Sequence, residues 1–345
     1  MDVQQLVTTA QALVAPGKGI LAADESGGTI KRRFDSINVE STEESRRNYR
    51  ELLFRTEGVA EYISGVILFE ETLYQKGVDG TPLVSVLSRQ GIIPGIKVDK
   101  GTQPLAGSPM EMITEGLDGL SDRLKEYAQR GARFTKWRAV ITIGESIPSS
   151  YCIHTNAHAL ARFARLSQES GLVPIVEPEV LMDGGHSIDL CSEVSEATLK
   201  EVFAQLAAQG VVLEGMLLKP SMVLSGSSAP NRATSEEVAG KTIACFKRTV
   251  PAAVPGMVFL SGGQSDEAAT INLNKINQRA LIVGAPWQLS FSYGRGLQAA
   301  PLKAWAGRTE NSDIAKRAFY HRAKVTSAAR QGNYVADMER EFSPA

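Results

Sequence analysis

Short apolar segments alternate with longer helix-like segments along the whole chain, and this alternation most restricts the folds the chain can adopt. Eight segments are predicted strands because they are too apolar to have a face in water, as in parallel sheets covered on both sides. The predicted strands are residues 19–24, 64–69, 92–98, 133–139, 172–178, 214–219, 257–262 and 288–293, with 280–283 as a competing eighth strand.

The segments between the strands have helical periodicity and recognisable ends. Ser41 with Glu44, and Thr234 with Glu237, have the spacing of a reciprocal helix N-terminal cap. Glycines follow the predicted helices at residues 115–130, 156–169 and 198–209. Strands and helices in alternation predict an α/β fold, a (β/α)8 TIM barrel. The barrel needs about 250 residues. The chain is longer than the barrel requires, and we assign the additional residues to extra N-terminal and C-terminal helices. These helices are placed before the first strand, around residues 35–55 and after residue 306.

The composition is that of an ordinary globular protein. The chain has 345 residues and a net charge of -1, so we expect neither nucleic acid nor an anionic membrane surface as its partner. No Pro/Ser/Gly-rich linker divides residues 1–345, which predicts one domain. Residues 332–345 lack apolar anchors and are predicted to form a mobile C-terminal tail.

The cysteines and the N-terminal residues indicate the cellular compartment. Cys152, Cys191 and Cys245 are odd in number and far apart, which favours reduced thiols over a disulfide framework. The first residues lack the basic start and apolar core of a signal peptide, and no apolar run approaches the length of a membrane span. We therefore expect a cytoplasmic protein.

Charged residues stand at the carboxyl ends of most predicted strands. They are Asp24, Lys97, Lys136, Glu177 and Lys219. The carboxyl ends of barrel strands carry catalytic groups, and charges facing a barrel interior are costly unless they are paired. One or two such residues could simply point outward into water, but this many predict one cavity in which opposite charges neutralise one another.

Lys219 is the favoured nucleophile of this cavity. It follows the apolar residues Leu217 and Leu218 and is followed by Pro220, so we expect desolvation to lower its pKa. A neutral lysine amine forms Schiff bases with carbonyl compounds. Two neighbouring ammonium groups, Lys97 and Lys136, would lower the pKa further, although spacing alone does not decide between the three lysines. The alternative is a lysine with a buried stem whose ammonium group reaches water.

Two regions at the strand ends are candidate phosphate sites. Residues 261–265 offer glycine amides that lead into a helix N-terminus, and Gly294 with Arg295 adds an amide and a guanidinium group. Ser26, Thr29, Arg32 and Arg33 follow the first strand, and Lys97 ends the third, which suggests a second site. The alternative for this second region is a solvated basic helix face.

A metal centre is the rival hypothesis. Cys152, His154 and His158 have ligand-like spacing, but no carboxylate lies close to them in the sequence. We therefore expect no metal and no other cofactor.

Seven of the strand-end segments resemble class I fructose-1,6-bisphosphate aldolases. They occur in the order of that family and are residues 21–26, 95–101, 136–138, 174–179, 217–220, 259–265 and 292–295. The resemblance extends from about residue 6 to residue 334 and covers almost the whole chain. It implies reversible retro-aldol cleavage of fructose 1,6-bisphosphate in glycolysis and gluconeogenesis, without a metal, by a cytosolic homotetramer that binds sugar phosphates.

The resemblance also implies roles for individual residues. The lysine matching Lys219 forms an imine with C2 of the ketose, the match to Glu177 transfers protons, and Asp24 and Lys136 match residues that assist cleavage. The residues matching the C1-phosphate side are Ser261, Gly262, Gly263, Ser292, Gly294 and Arg295. Those matching groups around the rest of the substrate are Ser26, Thr29, Arg33, Lys97, Arg138 and Glu179.

One departure from the family concerns the C-terminus. Many members end in a tyrosine that aids proton transfer, whereas this chain ends in Phe342-Ser343-Pro344-Ala345. Either Tyr334 replaces that tyrosine or the step proceeds without it. A loop at residues 225–230 could act as a lid over the site. The alternatives are a transaldolase-like barrel, a metal-dependent lyase, and a phosphosugar-binding or cytoskeletal scaffold for which catalysis is dispensable.

Overall fold

A computed structural model describes residues 1–341, and eight parallel strands in this part of the chain close into a barrel, which confirms the predicted TIM barrel. The strands of the described residues are β1 (Gly19–Ala23), β2 (Ile63–Leu68), β3 (Ile93–Lys97), β4 (Thr102–Leu105), β5 (Ser108–Thr114), β6 (Phe134–Ile141), β7 (Val173–Val180), β8 (Leu217–Leu218), β9 (Gly256–Phe259) and β10 (Gln288–Tyr293). Around the barrel the order is β1-β10-β9-β8-β7-β6-β3-β2. The antiparallel hairpin of β4 and β5 stands outside it.

Helices surround the barrel and extend the chain at both ends, as predicted. Those within residues 1–341 are α1 (Val3–Leu13), α2 (Gly27–Asp35), α3 (Glu43–Phe54), α4 (Glu70–Tyr74), α5 (Leu83–Ser88), α6 (Leu120–Gln129), α7 (Ser150–Glu169), α8 (Ile188–Ala208), α9 (Ser235–Thr249), α10 (Asp266–Ile282), α11 (Arg295–Trp305) and α12 (Ser312–Arg330). Among these residues no helix combines the length and the hydrophobicity needed to cross a bilayer.

Several predicted elements differ in their bounds from those in the structure, including helices 156–169 and 198–209, which begin earlier, at Ser150 and Ile188. The strand predicted at 214–219 is shortened to β8, because residues 213–215 form a 3-10 turn before it. Residues 280–283 lie at the end of α10 and not in a strand. The helix predicted from residue 115 begins at Leu120, because Gly116 and Gly119 adopt left-handed backbone angles, φ 123° and 64°.

The two predicted N-terminal caps have different outcomes. Thr234 and Glu237 cap α9 reciprocally, as expected. The cap predicted for Ser41 and Glu44 is shifted by one residue. Thr42 Oγ1 accepts the Ser45 N–H at 3.0 Å and Ser45 Oγ accepts the Thr42 N–H at 2.9 Å. A hydroxyl at the third helical position therefore replaces the expected carboxylate.

Helix α1 closes the amino-terminal end of the barrel. Its buried residues Leu6, Ala10 and Leu13 belong to one apolar cluster with barrel-interior side chains such as Ile20 and Phe134. A larger apolar cluster fills the space between the strands and the outer helices. Because α1 closes one end, the open cavity lies at the other, where the strands reach their carboxyl ends.

The start of the predicted C-terminal tail contacts α10 and α12. Gln278 Nε2 donates to the Gly332 carbonyl at 2.9 Å, and the Tyr334 N–H donates to Asn274 Oδ1 at 3.0 Å. Arg322 pairs with Glu339 at 2.5 Å. Residues 342–345 lie outside the described residues, so the mobility of residues 332–345 stays a prediction, as does the single domain.

Close packing between β3 and β6 gives a stability prediction. A Cβ atom at Gly95 would lie 2.3 Å from the Phe134 ring, whereas one at Gly240, in α9, would have no heavy atom within 4 Å. Gly95→Ala should lower the free energy of unfolding by about 1–3 kcal/mol through overpacking. Gly240→Ala, the control, should raise it by up to about 1 kcal/mol through helix propensity. Urea unfolding followed by circular dichroism measures both, and equal stabilities would contradict the packing described here.

Candidate active site

A cavity of 720 Å³ opens at the carboxyl ends of the barrel strands. Every catalytic and substrate-binding residue predicted from the sequence lines it. These residues are Asp24, Ser26, Thr29, Arg33, Lys97, Lys136, Arg138, Glu177, Glu179, Lys219, Ser261, Gly262, Gly263, Ser292, Gly294 and Arg295. The lining includes seven basic and five acidic side chains, so basic groups are in excess and an anionic ligand is favoured.

Four charged side chains form a buried cluster at the base of the cavity. Lys136 Nζ lies 2.9 Å from Asp24 Oδ2 and 2.9 Å from Glu177 Oε2. Glu177 Oε1 lies 3.3 Å from Lys219 Nζ. At most 11% of any of these side chains is exposed, so each charge depends on its neighbours and not on water. We call Asp24, Lys136, Glu177 and Lys219 the lysine–carboxylate cluster.

The barrel strands place the members of this cluster. Lys136 lies on β6 and Glu177 on β7, and Asp24 follows the last residue of β1. Lys219 directly follows β8, and its backbone N–H donates to the Val176 carbonyl at 2.8 Å. That hydrogen bond extends the pairing of β8 with β7 by one residue and brings the Lys219 side chain beside Glu177.

The cluster shifts the pKa values of its two lysines in opposite directions. Burial lowers the pKa of Lys219, and the nearby Lys136 ammonium lowers it further, against the opposing effect of Glu177. Burial also disfavours charge on Lys136, but the carboxylates of Asp24 and Glu177 outweigh it and raise the Lys136 pKa. Lys219 therefore loses its proton more readily than Lys136. This order supports Lys219 as the nucleophile.

Asp24 stays ionised inside the cluster. Burial alone would raise its pKa, but the ammonium groups of Lys136 and Lys219 outweigh burial and hold the Asp24 pKa below its usual range. A carboxylate beside Lys136 is thus present at neutral pH. It can accept a proton or orient the Lys136 ammonium group.

Lys97 belongs to a second set of charges. Its Nζ lies 2.7 Å from Asp99 Oδ1, and Asp99 Oδ2 accepts the backbone N–H of Arg138 at 3.2 Å. Arg138 Nε donates to Glu179, and the pKa of Arg138 is raised because Glu179, Glu177 and Asp99 together outweigh its burial. The pKa of Lys219 thus supports Lys136 as its ammonium neighbour, and Lys97 as a second such neighbour stays a prediction.

The loop after β9 has the backbone of an anion site. Gly262 and Gly263 adopt φ values of 46° and 86°, and the Gln264 N–H donates back to the Ser261 carbonyl at 3.1 Å. Successive amides in such a turn form a concavity that suits anions. Ser292 Oγ is buried against the same cavity and has no hydrogen-bond partner among residues 1–341, so it is available to a ligand.

The strand-one region lies close to this anion site. Ser26 is the N-cap of α2 but makes no side-chain capping bond, and its Oγ lies 3.2 Å from Thr29 Oγ1. A Cβ atom at Gly294 would lie 3.5 Å from Arg33 Nη2. Arg33 consequently reaches the first turn of α11, which carries Arg295.

Sequence reasoning missed several residues that support these groups. Asp99 and Gln264 lie within the segments 95–101 and 259–265 discussed from the sequence, but Asp99 was not predicted as the partner of Lys97, and Gln264 was not predicted as a support of the glycine turn. The Gln264 amide donates to the Ser261 carbonyl at 3.1 Å and accepts from Asn272 at 2.7 Å, which fixes the glycine turn. Glu25 and Thr102 also line the cavity. The position of Glu25 beside Asp24 in the sequence is the only signal that could have predicted its place in the cavity lining.

The structure separates the members of the rival zinc motif. Cys152 is buried, with its Sγ 3.8 Å from the Met112 carbonyl. His154 is exposed and contacts Glu201 at 2.7 Å, and His158 contacts Gln205 at 3.3 Å. Among residues 1–341 no group of three or more histidine, cysteine or acidic side chains is arranged to hold a metal ion.

Two further elements discussed from the sequence lie away from the reacting groups. Tyr334 packs against α10, with its hydroxyl 3.3 Å from Glu339, and does not line the cavity. The loop at 225–230 is held to the loop after β7, since the Ser227 and Ser228 N–H groups donate to the Met182 and Gly184 carbonyls. Its function as a lid stays a prediction.

Fold and cavity together define the class of α/β-barrel enzymes with a buried lysine pair and a cavity lined by an excess of basic side chains. Comparison with known proteins narrows this class. The family model for fructose-bisphosphate aldolase class-I matches residues 5–344. A probable fructose-bisphosphate aldolase class 1 of Xanthomonas axonopodis pv. citri is 58% identical, over 97% of this chain and 99% of that protein. The cytosolic fructose-bisphosphate aldolase 4 of Arabidopsis thaliana is 56% identical, over 97% and 85%.

A solved structure agrees. The fructose-bisphosphate aldolase of Plasmodium falciparum, crystallised with TRAP and a small-molecule inhibitor, superimposes with a TM-score of 0.94 at 51% identity over 96% of both chains. The chain belongs to the class-I fructose-bisphosphate aldolase family.

The lysine–carboxylate cluster predicts opposite pKa shifts in two variants. Lys136→Met removes the cation that lowers the Lys219 pKa, so that pKa should rise and the reactive amine should appear only at higher pH. Glu177→Gln removes the carboxylate that favours the ammonium form, so the Lys219 pKa should fall further. Competitive acetic anhydride labelling across a pH series, analysed by peptide mass spectrometry, measures both shifts.

The control for this labelling is Lys200→Met, an exposed lysine of α8 that is remote from the cavity. It should leave the Lys219 labelling profile unchanged. Shifts of the same sign in Lys136→Met and Glu177→Gln would contradict the described coupling.

Proposed function

We propose that this protein catalyses the reversible cleavage of fructose 1,6-bisphosphate to dihydroxyacetone phosphate and glyceraldehyde 3-phosphate through a Schiff base on Lys219. The observation that carries the proposal is the buried Lys219 amine of lowered pKa, 3.3 Å from Glu177. Membership of the class-I aldolase family supports the same reaction. It also favours catalysis over the alternative of a scaffold without catalytic function.

The first step is attack of the neutral Lys219 amine on the C2 carbonyl of the open-chain ketose. Addition gives a carbinolamine, and loss of its hydroxyl as water gives the iminium ion. Glu177 contacts Lys219 at 3.3 Å and Lys136 at 2.9 Å, so it is placed to carry the proton that the amine loses to the C2 oxygen, which becomes the carbinolamine hydroxyl. Departure of this hydroxyl as water consumes one further proton, supplied by solvent through the same carboxyl group, because the iminium nitrogen keeps its remaining hydrogen.

Cleavage of the C3–C4 bond follows. A carboxylate removes the C4 hydroxyl proton, the C4 carbonyl forms, and the C3–C4 bonding electrons move into the iminium ion to give an enamine. Either Asp24 or Glu177 could serve as this base, since both flank Lys136 at 2.9 Å. The Lys136 ammonium group stabilises the negative charge that develops on the C4 oxygen in a site with little water. Protonation of the enamine and hydrolysis then release the second triose phosphate and regenerate Lys219.

The two substrate phosphates are assigned to the basic mouth of the cavity. The C1 phosphate is assigned to the turn at Gly262 and Gly263, Ser292 and the first turn of α11 with Gly294 and Arg295. The other end of the substrate is assigned to Ser26, Thr29, Arg33, Lys97 and Arg138, with Glu179 orienting Arg138. Two such clamps hold the reacting bond over the lysines and reduce the entropic barrier.

The proposal also covers the oligomeric state of the protein, its cellular location and its need for a cofactor. We infer a homotetramer in the cytoplasm that needs no metal, and the cytosolic Arabidopsis relative supports this location. A transaldolase-like activity would retain the lysine without two phosphate sites. A metal-dependent lyase would lose its activity in the presence of a chelator.

Trapping tests the nucleophile. Borohydride reduction in the presence of fructose 1,6-bisphosphate should leave a stable adduct on the peptide containing Lys219, because reduction converts the iminium ion into a secondary amine. Intact-mass and peptide mass spectrometry detect it. Lys219→Met should abolish the adduct, whereas the surface control Lys200→Met should retain it. An adduct carried by Lys136 or Lys97 instead would overturn the assignment.

The C1-phosphate site predicts a change in substrate preference. Arg295→Ala should raise KM for fructose 1,6-bisphosphate by roughly tenfold or more, since it removes a charge-assisted hydrogen bond. A ketose without the C1 phosphate should be affected far less. Steady-state kinetics on both substrates measures the difference, and an unchanged preference would place the C1 phosphate elsewhere. Lys303→Ala, at the last turn of α11, serves as the control.

A further inference from the structure

The carboxylate of Glu25 lies at the edge of the cavity and takes no part in the reaction steps above. Only 4% of its side chain is exposed. Its Oε1 accepts hydrogen bonds from Arg33 Nη1 and, at 2.7 Å, from Gln298 Nε2. A buried carboxylate is costly unless it is paired, and here the cation that pairs with it lines the substrate cavity.

Arg50 of α3 fixes the backbone of Glu25 from behind. Only 1% of its side chain is exposed, its Nη2 donates to the Glu25 carbonyl at 2.9 Å, and its Nη1 donates to Thr72 Oγ1 at 2.7 Å. The Arg50 guanidinium also lies 3.9 Å from Glu25 Oε2. Glu25 is thereby held at both its main chain and its carboxylate, which leaves it little freedom to follow a movement of Arg33.

Gln298 connects this carboxylate with the helix that carries Arg295. Its Nε2 donates to the Ala22 carbonyl, at the end of β1, at 2.7 Å and also to Glu25. Its backbone N–H donates to the Gly294 carbonyl at 3.1 Å, within the first turn of α11. One buried carboxylate therefore joins Arg33 on α2 to the start of α11.

We propose that Glu25 is a positioning residue for substrate phosphate binding, and that it sets the position of Arg33 relative to Gly294 and Arg295. The inference rests on the proposed role of Arg33 as a substrate ligand. An arginine side chain has many rotamers in water, and a fixed carboxylate selects one of them before the substrate binds. Within residues 1–341 the side chain of Glu25 contacts Arg33, Arg50 and Gln298 and no member of the lysine–carboxylate cluster, so its loss should weaken substrate binding more than it slows the chemistry.

The first experiment is Glu25→Gln, which keeps the size of the side chain and removes the charge that holds Arg33. We expect KM for fructose 1,6-bisphosphate to rise roughly tenfold while kcat changes by less than about threefold, the pattern of lost binding that precedes the chemical step. Glu71→Gln is the matched control. Glu71 pairs with Arg46 at 2.8 Å, accepts a hydrogen bond from Gln75 at 2.9 Å and lies 3.9 Å from Arg50, and it has no hydrogen bond or ion pair with Arg33 within residues 1–341. It should leave KM unchanged.

A double-mutant cycle with Arg33→Ala separates this inference from the proposed function. If Glu25 acts through Arg33, adding Glu25→Gln to Arg33→Ala should raise KM no further. Additive effects would overturn the inference. A raised KM in Arg33→Ala with an unchanged KM in Glu25→Gln would also overturn it, while the substrate-binding role of Arg33 would stand. An unchanged KM in Arg33→Ala would overturn both.

A further variant covers the case in which Glu25→Gln does not fold. Gln298→Met removes the amide that joins Glu25 to α11 and leaves every charge in place. It should raise KM by roughly threefold with little change in kcat, because the two buried hydrogen bonds that are lost, to Ala22 and to Glu25, act on the ligand only indirectly. An unchanged KM in folded Gln298→Met would overturn the proposed connection between Glu25 and α11.

Discussion

The pairing of Lys136 with two buried carboxylates is the interaction on which the rest of the site depends. Lys136 lies 2.9 Å from both Asp24 and Glu177, and this double pairing keeps it cationic inside the barrel. A permanent cation so close to Lys219 disfavours a second one, so the lysine at the end of β8 becomes the better nucleophile. The pKa of each member of the cluster thus depends on the charges of the other members.

The barrel makes such a cluster tolerable by confining it to one end. Helix α1 closes the other end with Leu6, Ala10 and Leu13, and apolar side chains fill the interior up to the cavity. The charged groups meet only where the strands reach their carboxyl ends. Basic groups at the mouth add an attraction for anions without entering the cluster, because Asp99 and Glu179 hold Lys97 and Arg138.

The sequence was sufficient to predict the barrel and the charged cluster, because apolar strands and the charges that end them are local features, whereas Arg138, Glu179 and Ser292 were predicted only from the family resemblance. It was not sufficient for contacts between distant segments. The hydrogen bond between Glu25 and Gln298 joins residues 273 positions apart, and no local sequence pattern around either residue predicts it. Nor could spacing show that Lys97 pairs with Asp99 while Lys136 pairs with Glu177, since that depends on strand register and side-chain direction. The hairpin of β4 and β5 was missed because each of its strands contains a proline and is partly exposed, and neither is a continuous apolar run.

The central claim is that one buried cluster shifts the pKa values of its two lysines in opposite directions. The most direct test is an NMR titration of the resting protein with ¹³Cε-labelled lysine, in which the Lys219 and Lys136 signals are assigned from the Lys219→Met and Lys136→Met variants. The account predicts that Lys219 titrates below the usual range of lysine, while Lys136 stays charged beyond that range. Both signals titrating together at the ordinary lysine pKa, or Lys136 losing its proton first, would contradict it.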